Sequence, residues 1–201
     1  MLDKKKYIIC ALFGMLFSLV ITGVIIKEKK EILQKEVAEE VLRFHVLANS
    51  DSERDQELKL KVKEEILSYM KRELPQSENL EMTRNWAKNN ISEIEAVGRS
   101  VLLKNGCNDP VKAEVTCCEF PEKTYGDITF PAGTYEALRI EIGEGEGQNW
   151  WCVLYPNLCF VDAIHAVVPE EGKNDLKEVL DEEAYEMVTS KTVFRIKWFF
   201  F

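Results

Sequence analysis

"RFHVLANSDSERDQELKLKVKEEIL" (residues 43–67) changes its period half-way along. The first part alternates. Phe44, Val46 and Ala48 fall on one side and His45 and Leu47 on the other, which is strand spacing. The second part repeats every three to four residues. Leu58, Val62, Ile66 and Tyr69 or Met70 line one helical face. Between the two, "SDSE" (residues 50–53) has the pattern of a capping box, with Ser50 as N-cap and Glu53 reaching back. The stretch therefore predicts a strand that turns directly into a capped amphipathic helix. That helix runs to about Met70 and is closed by Pro75.

Toward the C-terminus, a second helix is predicted over about Leu80–Leu103, with Ala87, Ile91, Ile94, Val97 and Val101 as its buried stripe. Gly106 is placed to cap its end. From Val111 the period falls to two. Val111, Ala113, Val115 and Cys117 face one way, and Lys112, Glu114, Thr116 and Cys118 the other. Strands are expected at Tyr125–Phe130, Thr134–Ile142 and Trp151–Tyr155, with "PAGTY" (residues 131–135) as a turn. "NDLKEVLDEEAY" predicts a short helix, and "TVFRIKWFFF" a last strand. Helices precede strands, so the class is α+β with a mainly antiparallel sheet.

Toward the N-terminus, residues 1–6 are basic and Tyr7–Ile26 is an uncharged apolar run of 20 residues. That length spans a hydrocarbon core as a helix. The run ends in "GVIIKEKK" without a small-residue cleavage site, which favours an uncleaved signal-anchor over a signal peptide. Residues 27–42 are charged and helix-prone and are expected as a stalk, with Ile32, Val37 and Val41 as a sparse apolar stripe. Residues 43–201 then form an exported α+β domain. Lysines flank both ends of the apolar run, so charge alone does not orient it. Its N-terminal position favours export of the C-terminal domain.

The chain has 201 residues and a net charge of −9. Outside Asp3, Lys4, Lys5 and Lys6, the remainder carries 23 Lys+Arg against 34 Asp+Glu, a balance of −11. Such a surface repels phosphate, so nucleic acid is excluded as a partner. Only two histidines are present, and no paired C-x-x-C knuckles, so no metal site is expected. No cofactor-binding set is visible.

"GEGEGQNWWCVLYPNLCFVD" (residues 143–162) is the densest segment in chemistry. A phosphate loop would need a lysine and a Ser or Thr after the glycines. Here Glu144 and Glu146 would repel phosphate, and the glycines read as a flexible loop between strands. "NSDSERD" resembles the start of a calcium loop, but Arg54 and Leu60 stand where Gly and Glu are required, and counting from Asp51 fails as well. Helix capping accounts for these acids. Cys152 or Cys159 with His45 or His165 is the available thiol–imidazole set. An aromatic, acidic neighbourhood raises a thiol pKa, so a Cys152–Cys159 disulfide around Pro156 is the better reading in an exported domain. Adjacent strand residues point to opposite faces. One of Trp150 and Trp151 therefore joins the core while the other is a contact anchor, or neighbouring layers cover both. The expected partner-contact residues are Glu144, Glu146, Asn149, Trp150, Trp151 and Asp162, and no catalytic residue is assigned.

The two quoted blocks, with "PAGTYEALRI", closely resemble the stage II sporulation protein R family of endospore-forming bacteria, from about Val41 to Asp162. The matching positions are His45, Asn49, Ser50, Asp51, Asp55 and Gln56 in the first block. In the second they are Asn149, Trp150, Trp151, Cys152, Pro156, Cys159 and Asp162. "YPN" replaces the Phe-Pro-Pro common in that family, and Cys107, Cys117 and Cys118 are extra. The resemblance implies a signal rather than an enzyme. Such proteins leave the forespore and trigger a membrane-embedded, aspartic-type protease of the mother cell. That protease then processes the precursor of sigma factor E. The implied location is the space between the two membranes, with the chain anchored or released. The reading from a different class is an envelope-anchored thiol enzyme or hydrolase using Cys152 or Cys159.

Overall fold

A computed structural model describes residues 2–74, 79–156, 158–160, 168 and 170–189. The expected strand at the C-terminus, and the positions of Asp162 and His165, lie outside the described residues. A mixed four-stranded sheet organises the rest. Its strands are β1 (Leu42–Leu47), β2 (Val111–Phe120), β5 (Gly133–Ile142) and β6 (Asn149–Tyr155), in the order β2-β5-β1-β6. The class is α+β. Two of the three pairings are antiparallel, and β1 runs parallel to β5. The expected single strand at Tyr125–Phe130 is instead a small hairpin, β3 (Lys123–Tyr125) and β4 (Ile128–Phe130), because Gly126 and Asp127 form a turn within it.

Both faces of the sheet are covered. Even-numbered residues of β1 and β5 (Phe44, Val46, Leu138, Ile140) pack under α2 (Glu53–Glu73), α3 (Leu80–Asn89) and α4 (Ile91–Lys104). The predicted stripe of α2 is this contact: Leu58, Val62, Ile66 and Met70 are all buried. Tyr135, Ala137 and Val153 face a second core, built with the hairpin, α1 (Leu2–Glu40), α5 (Glu170–Val179) and α6 (Glu182–Thr189). Consequently every residue of β1 is buried, including Arg43 and His45 on the side that alternation alone would not have buried.

Local chemistry accounts for the element ends. The second predicted helix is two, α3 and α4. The break falls at Asn90, whose backbone (φ −112°, ψ 20°) leaves the helical region; its N–H is shared between the Trp86 and Ala87 carbonyls at 3.1 and 3.2 Å, and its side-chain amide adds a bond to Trp86 at 2.8 Å. Gly106 ends α4 as expected. Its N–H and that of Cys107 reach the carbonyls of Leu103 and Leu102 at 3.0 and 2.9 Å, a Schellman arrangement. The predicted helix at "NDLKEVLDEEAY" is likewise two helices, α5 and α6, separated at Leu180 and Asp181.

The cap of α2 differs from the expectation by two residues. Ser52, not Ser50, is the N-cap, and its Oγ accepts from the Asp55 N–H at 3.1 Å. Ser50 instead donates to the Asp55 carboxylate at 2.5 Å and accepts from the Ser52 N–H. Two serines and two acids two residues apart offer both frames, and only the frame that frees Ser50 for Asp55 satisfies both. Ser52→Ala is expected to cost about 1 kcal/mol in chemical denaturation, as loss of an N-cap does. A change below about 0.3 kcal/mol would refute the cap.

Of the segment expected as a stalk, residues 27–40 are the last part of α1, which is continuous from Leu2 to Glu40, and Leu42 already opens β1. Val37 is fully buried and Leu33 and Ala38 pack beside it, whereas Ile32 is exposed.

Candidate functional site

Because β1 and β5 are parallel, the loops at their C-terminal ends leave the sheet on the same side. One is the turn at residues 48–52, the other the loop at residues 143–148. They are bonded into one unit. The N–H groups of Gly147 and Glu146 donate to the carbonyls of Ala48 and Asn49 at 2.9 and 3.2 Å. Those of Glu144 and Gln148 donate to Asn49 Oδ1 and Asp51 Oδ1 at 3.0 and 2.8 Å. From below, Lys59 of α2, only 5 % exposed, donates to the Gln148 carbonyl at 2.8 Å and to Gln56 Oε1 at 2.6 Å. Gln56 in turn donates to the Ser50 carbonyl at 3.0 Å. Asp55 accepts from Asn49 and Ser50, and these bonds, Ser50's first, hold its carboxyl below the ordinary range.

The glycines are therefore not there for mobility, and the expected flexible loop is corrected to a bonded one. A Cβ on Gly147 would overlap the backbone carbonyl of Ser50, and one on Gly143, where φ is +60°, would overlap the Asn49 side chain. Close approach of two backbones needs hydrogen at Cα. Asp51 and Asp55 are committed within the unit, through bonds to Gln148, Asn49 and Ser50 rather than through the expected capping box of Ser50 and Glu53. The residues the unit exposes to solvent are Asp51 and Ser52 of the turn and Glu144, Glu146 and Gln148 of the loop. Neither Glu144 nor Glu146 belongs to an ion pair among the described residues.

Below this tip, β6 opens with Asn149, Trp150 and Trp151, paired to Leu47, Val46 and His45. The tryptophans take opposite faces and both are half-buried. Trp150 meets Phe44 edge-on at 5.8 Å, with the Lys63 ammonium 5.1 Å from its ring centre. Trp151 stacks on His45 at 5.0 Å and meets Phe120 at 4.7 Å. Neither is a free anchor, because each sheet face has its own covering layer. Each leaves only a partial rim to solvent beside the tip.

The segment that carries both loops, residues 38–165, matches the family model described as stage II sporulation protein R. The chain belongs to the stage II sporulation protein R family. It is also 33% identical over 195 residues to the stage II sporulation protein R of Bacillus subtilis (strain 168), an alignment covering 94% of this chain and 86% of the relative. No solved structure matches the chain.

The two cysteines of the second block in this sporulation protein lie inside the domain. Cys152 is buried, Cys159 is half-buried and hydrogen-bonded to it, and both are free thiols. Burial, then the neighbouring Cys152, pushes the Cys159 thiol well up. His45 is no partner for Cys152. The cysteine packs with Phe44 and Leu154 in the first core, while His45 stacks on Trp151 toward the other face. A thiol with a raised pKa and, among the described residues, no base beside it lacks what nucleophilic catalysis requires.

Sequence reasoning missed Arg43 and Lys59. Arg43 is completely buried and sits among four rings, its guanidinium carbon 4.4 Å from Phe120, 4.9 Å from Tyr135, 5.0 Å from Phe130 and 5.9 Å from Tyr125. It donates to the Cys152 carbonyl at 3.1 Å and to the Tyr125 hydroxyl at 3.0 Å. The clue available in sequence was a charged residue at the head of an otherwise apolar strand. For Lys59 it was a charge beside Leu58 on the buried stripe.

His45 is 3 % exposed, and among the described residues neither ring nitrogen has a hydrogen-bond partner. Burial, then Arg139 and Arg43, lowers its pKa from 6.5 to about 4. The folded protein thus keeps it neutral where the unfolded chain protonates it. Its stabilising share is complete above pH 6.5 and is lost as pH falls toward 4. Stability is expected to drop by up to about 3 kcal/mol across that window. Urea midpoints at intervals of pH, for the natural protein and for His45→Leu, check it. An equal slope in both would rule His45 out as the cause.

Proposed function

We propose that this protein is an exported signal that activates a membrane-embedded, aspartic-type protease of the mother cell and so brings about processing of the sigma-E precursor. The observation that carries this reading is the convergence of the two sequence blocks on one ordered acidic tip. Membership of the sporulation family supports it, as does an N-terminal helix apolar and long enough to act as a signal sequence or membrane anchor. Glu144 and Glu146 offer charge to a basic loop of the protease, and the rims of Trp150 and Trp151 with Asn149 offer contact area. Asp162 remains a proposed contact on the strength of the sequence. A bonded tip loses little ordering entropy on binding, which suits a signal better than a flexible loop would.

In the oxidising space outside the cell membrane, Cys152 and Cys159 are proposed to close into a disulfide by exchange with a disulfide donor, which is reduced. Two fewer titratable thiols in the exported protein than after reduction would establish it, and an equal count would exclude it. The thiol-enzyme reading has the raised Cys159 thiol against it.

The function is tested by co-expressing this chain with the candidate protease and the sigma precursor. Cleavage that requires both this chain and the protease is expected. Cleavage by this chain without the protease would favour the thiol-enzyme reading, and cleavage independent of this chain would dismiss the signal.

A further inference from the structure

The path of the chain fixes where the tip stands. The apolar part of α1 is exposed throughout, and the helix continues without a break to Glu40. Its last turns are packed onto the domain. Gln34 Nε2 donates to the Thr134 carbonyl at 3.4 Å, Lys29 pairs with Glu183 at 2.8 Å, and Val37 is buried in the second core. Gln34 is thus level with the start of β5. Val37 and Val41 then share a core with Tyr135, Ala137 and Val153. Arg43 pairs with Ala137, so Val41 is level with Tyr135, and between Gln34 and Val41 α1 crosses the opening end of β5 obliquely. Only Val41 separates α1 from β1, which runs parallel to β5 and ends in the 48–52 turn. α1 thus docks at the opening end of β5, and the tip stands at the far end of the same strand.

We infer that the N-terminal helix and the domain form one rigid strut, which holds the tip far from the membrane bearing the helix and pointing away from it. This rests on the proposed signalling role of the tip and on retention of the helix. From Thr134, where α1 docks, to the loop that follows Ile142, β5 spans about 30 Å. The elements at the other end, around the Lys29–Glu183 pair, stay close to the membrane surface. A tip presented in this way meets a basic polypeptide surface that faces the anchoring membrane rather than one alongside it.

The full chain is placed in phosphatidylcholine–phosphatidylglycerol vesicles carrying a headgroup energy-transfer acceptor. Donors are attached to Glu146→Cys or, at the base, Glu182→Cys. Both are made in a background with the exposed Cys10 and Cys117 changed to serine, and that background alone is the labelling control. Transfer from position 146 is expected to be roughly tenfold weaker than from position 182, given the rises of helix and strand. Inserting Gly-Ser-Gly-Gly between Lys30 and Glu31 should raise transfer from 146 toward that from 182. Equal transfer from both positions without the insertion, or no response to the insertion, would overturn the strut. Neither readout involves the protease, so failure here is distinct from failure of the signalling role.

Discussion

Gly147→Ala should abolish protection of the Glu146 and Gly147 amides from hydrogen exchange and cut protease activation about tenfold, the equivalent of roughly 1.4 kcal/mol of binding. The added methyl overlaps the Ser50 carbonyl, which is backbone and has no rotamer with which to yield. The two donated bonds to Ala48 and Asn49 must open to make room. Local rearrangement of this kind costs on the order of 2–4 kcal/mol, the range of strained or clashing sites. The cores lie elsewhere, so circular dichroism should remain native. Unchanged protection together with unchanged activation would mean that the loop is not held as described.

The largest loss of global stability is expected at Arg43. Its guanidinium makes no ion pair among the described residues; ring faces and two hydrogen bonds hold it. Arg43→Ala leaves a cavity among Phe120, Phe130 and Tyr135 and removes the donors to Cys152 and Tyr125. A cost of about 3–5 kcal/mol is expected from a lost large side chain plus stranded polar partners. Arg43→Lys keeps the charge but not the flat fork, and should recover only part. Urea denaturation decides it. An Arg43→Ala protein within about 1 kcal/mol of the natural one would show the cage to be dispensable.

Legibility in the sequence tracked the range of the interactions. The periods of Phe44–Val46 and Leu58–Met70 are local and gave strand and helix correctly. So did the signals at Gly106 and at Val111. The capping serine was misplaced by two residues because Ser50 and Ser52 both satisfy a local pattern, and the choice rests on Asp55. Arg43 and His45 were opaque because their burial depends on the second layer, brought by α1, the hairpin and the C-terminal helices. The tip was legible as two blocks but not as one site. Residues 48 and 147 meet only because β1 and β5 run parallel, and no periodicity encodes that pairing. Glycines required for close approach then looked like glycines required for freedom.

The acidic tip is proposed as the surface read by the protease. Glu144→Lys with Glu146→Lys tests it most directly, because both side chains are exposed and neither supports the fold. In the co-expression assay the double variant should fold, reach the same level and lose precursor cleavage about tenfold or more, as charge reversal at a recognition surface does. Full cleavage by a folded, exported double variant would contradict the claim and place recognition elsewhere on the domain.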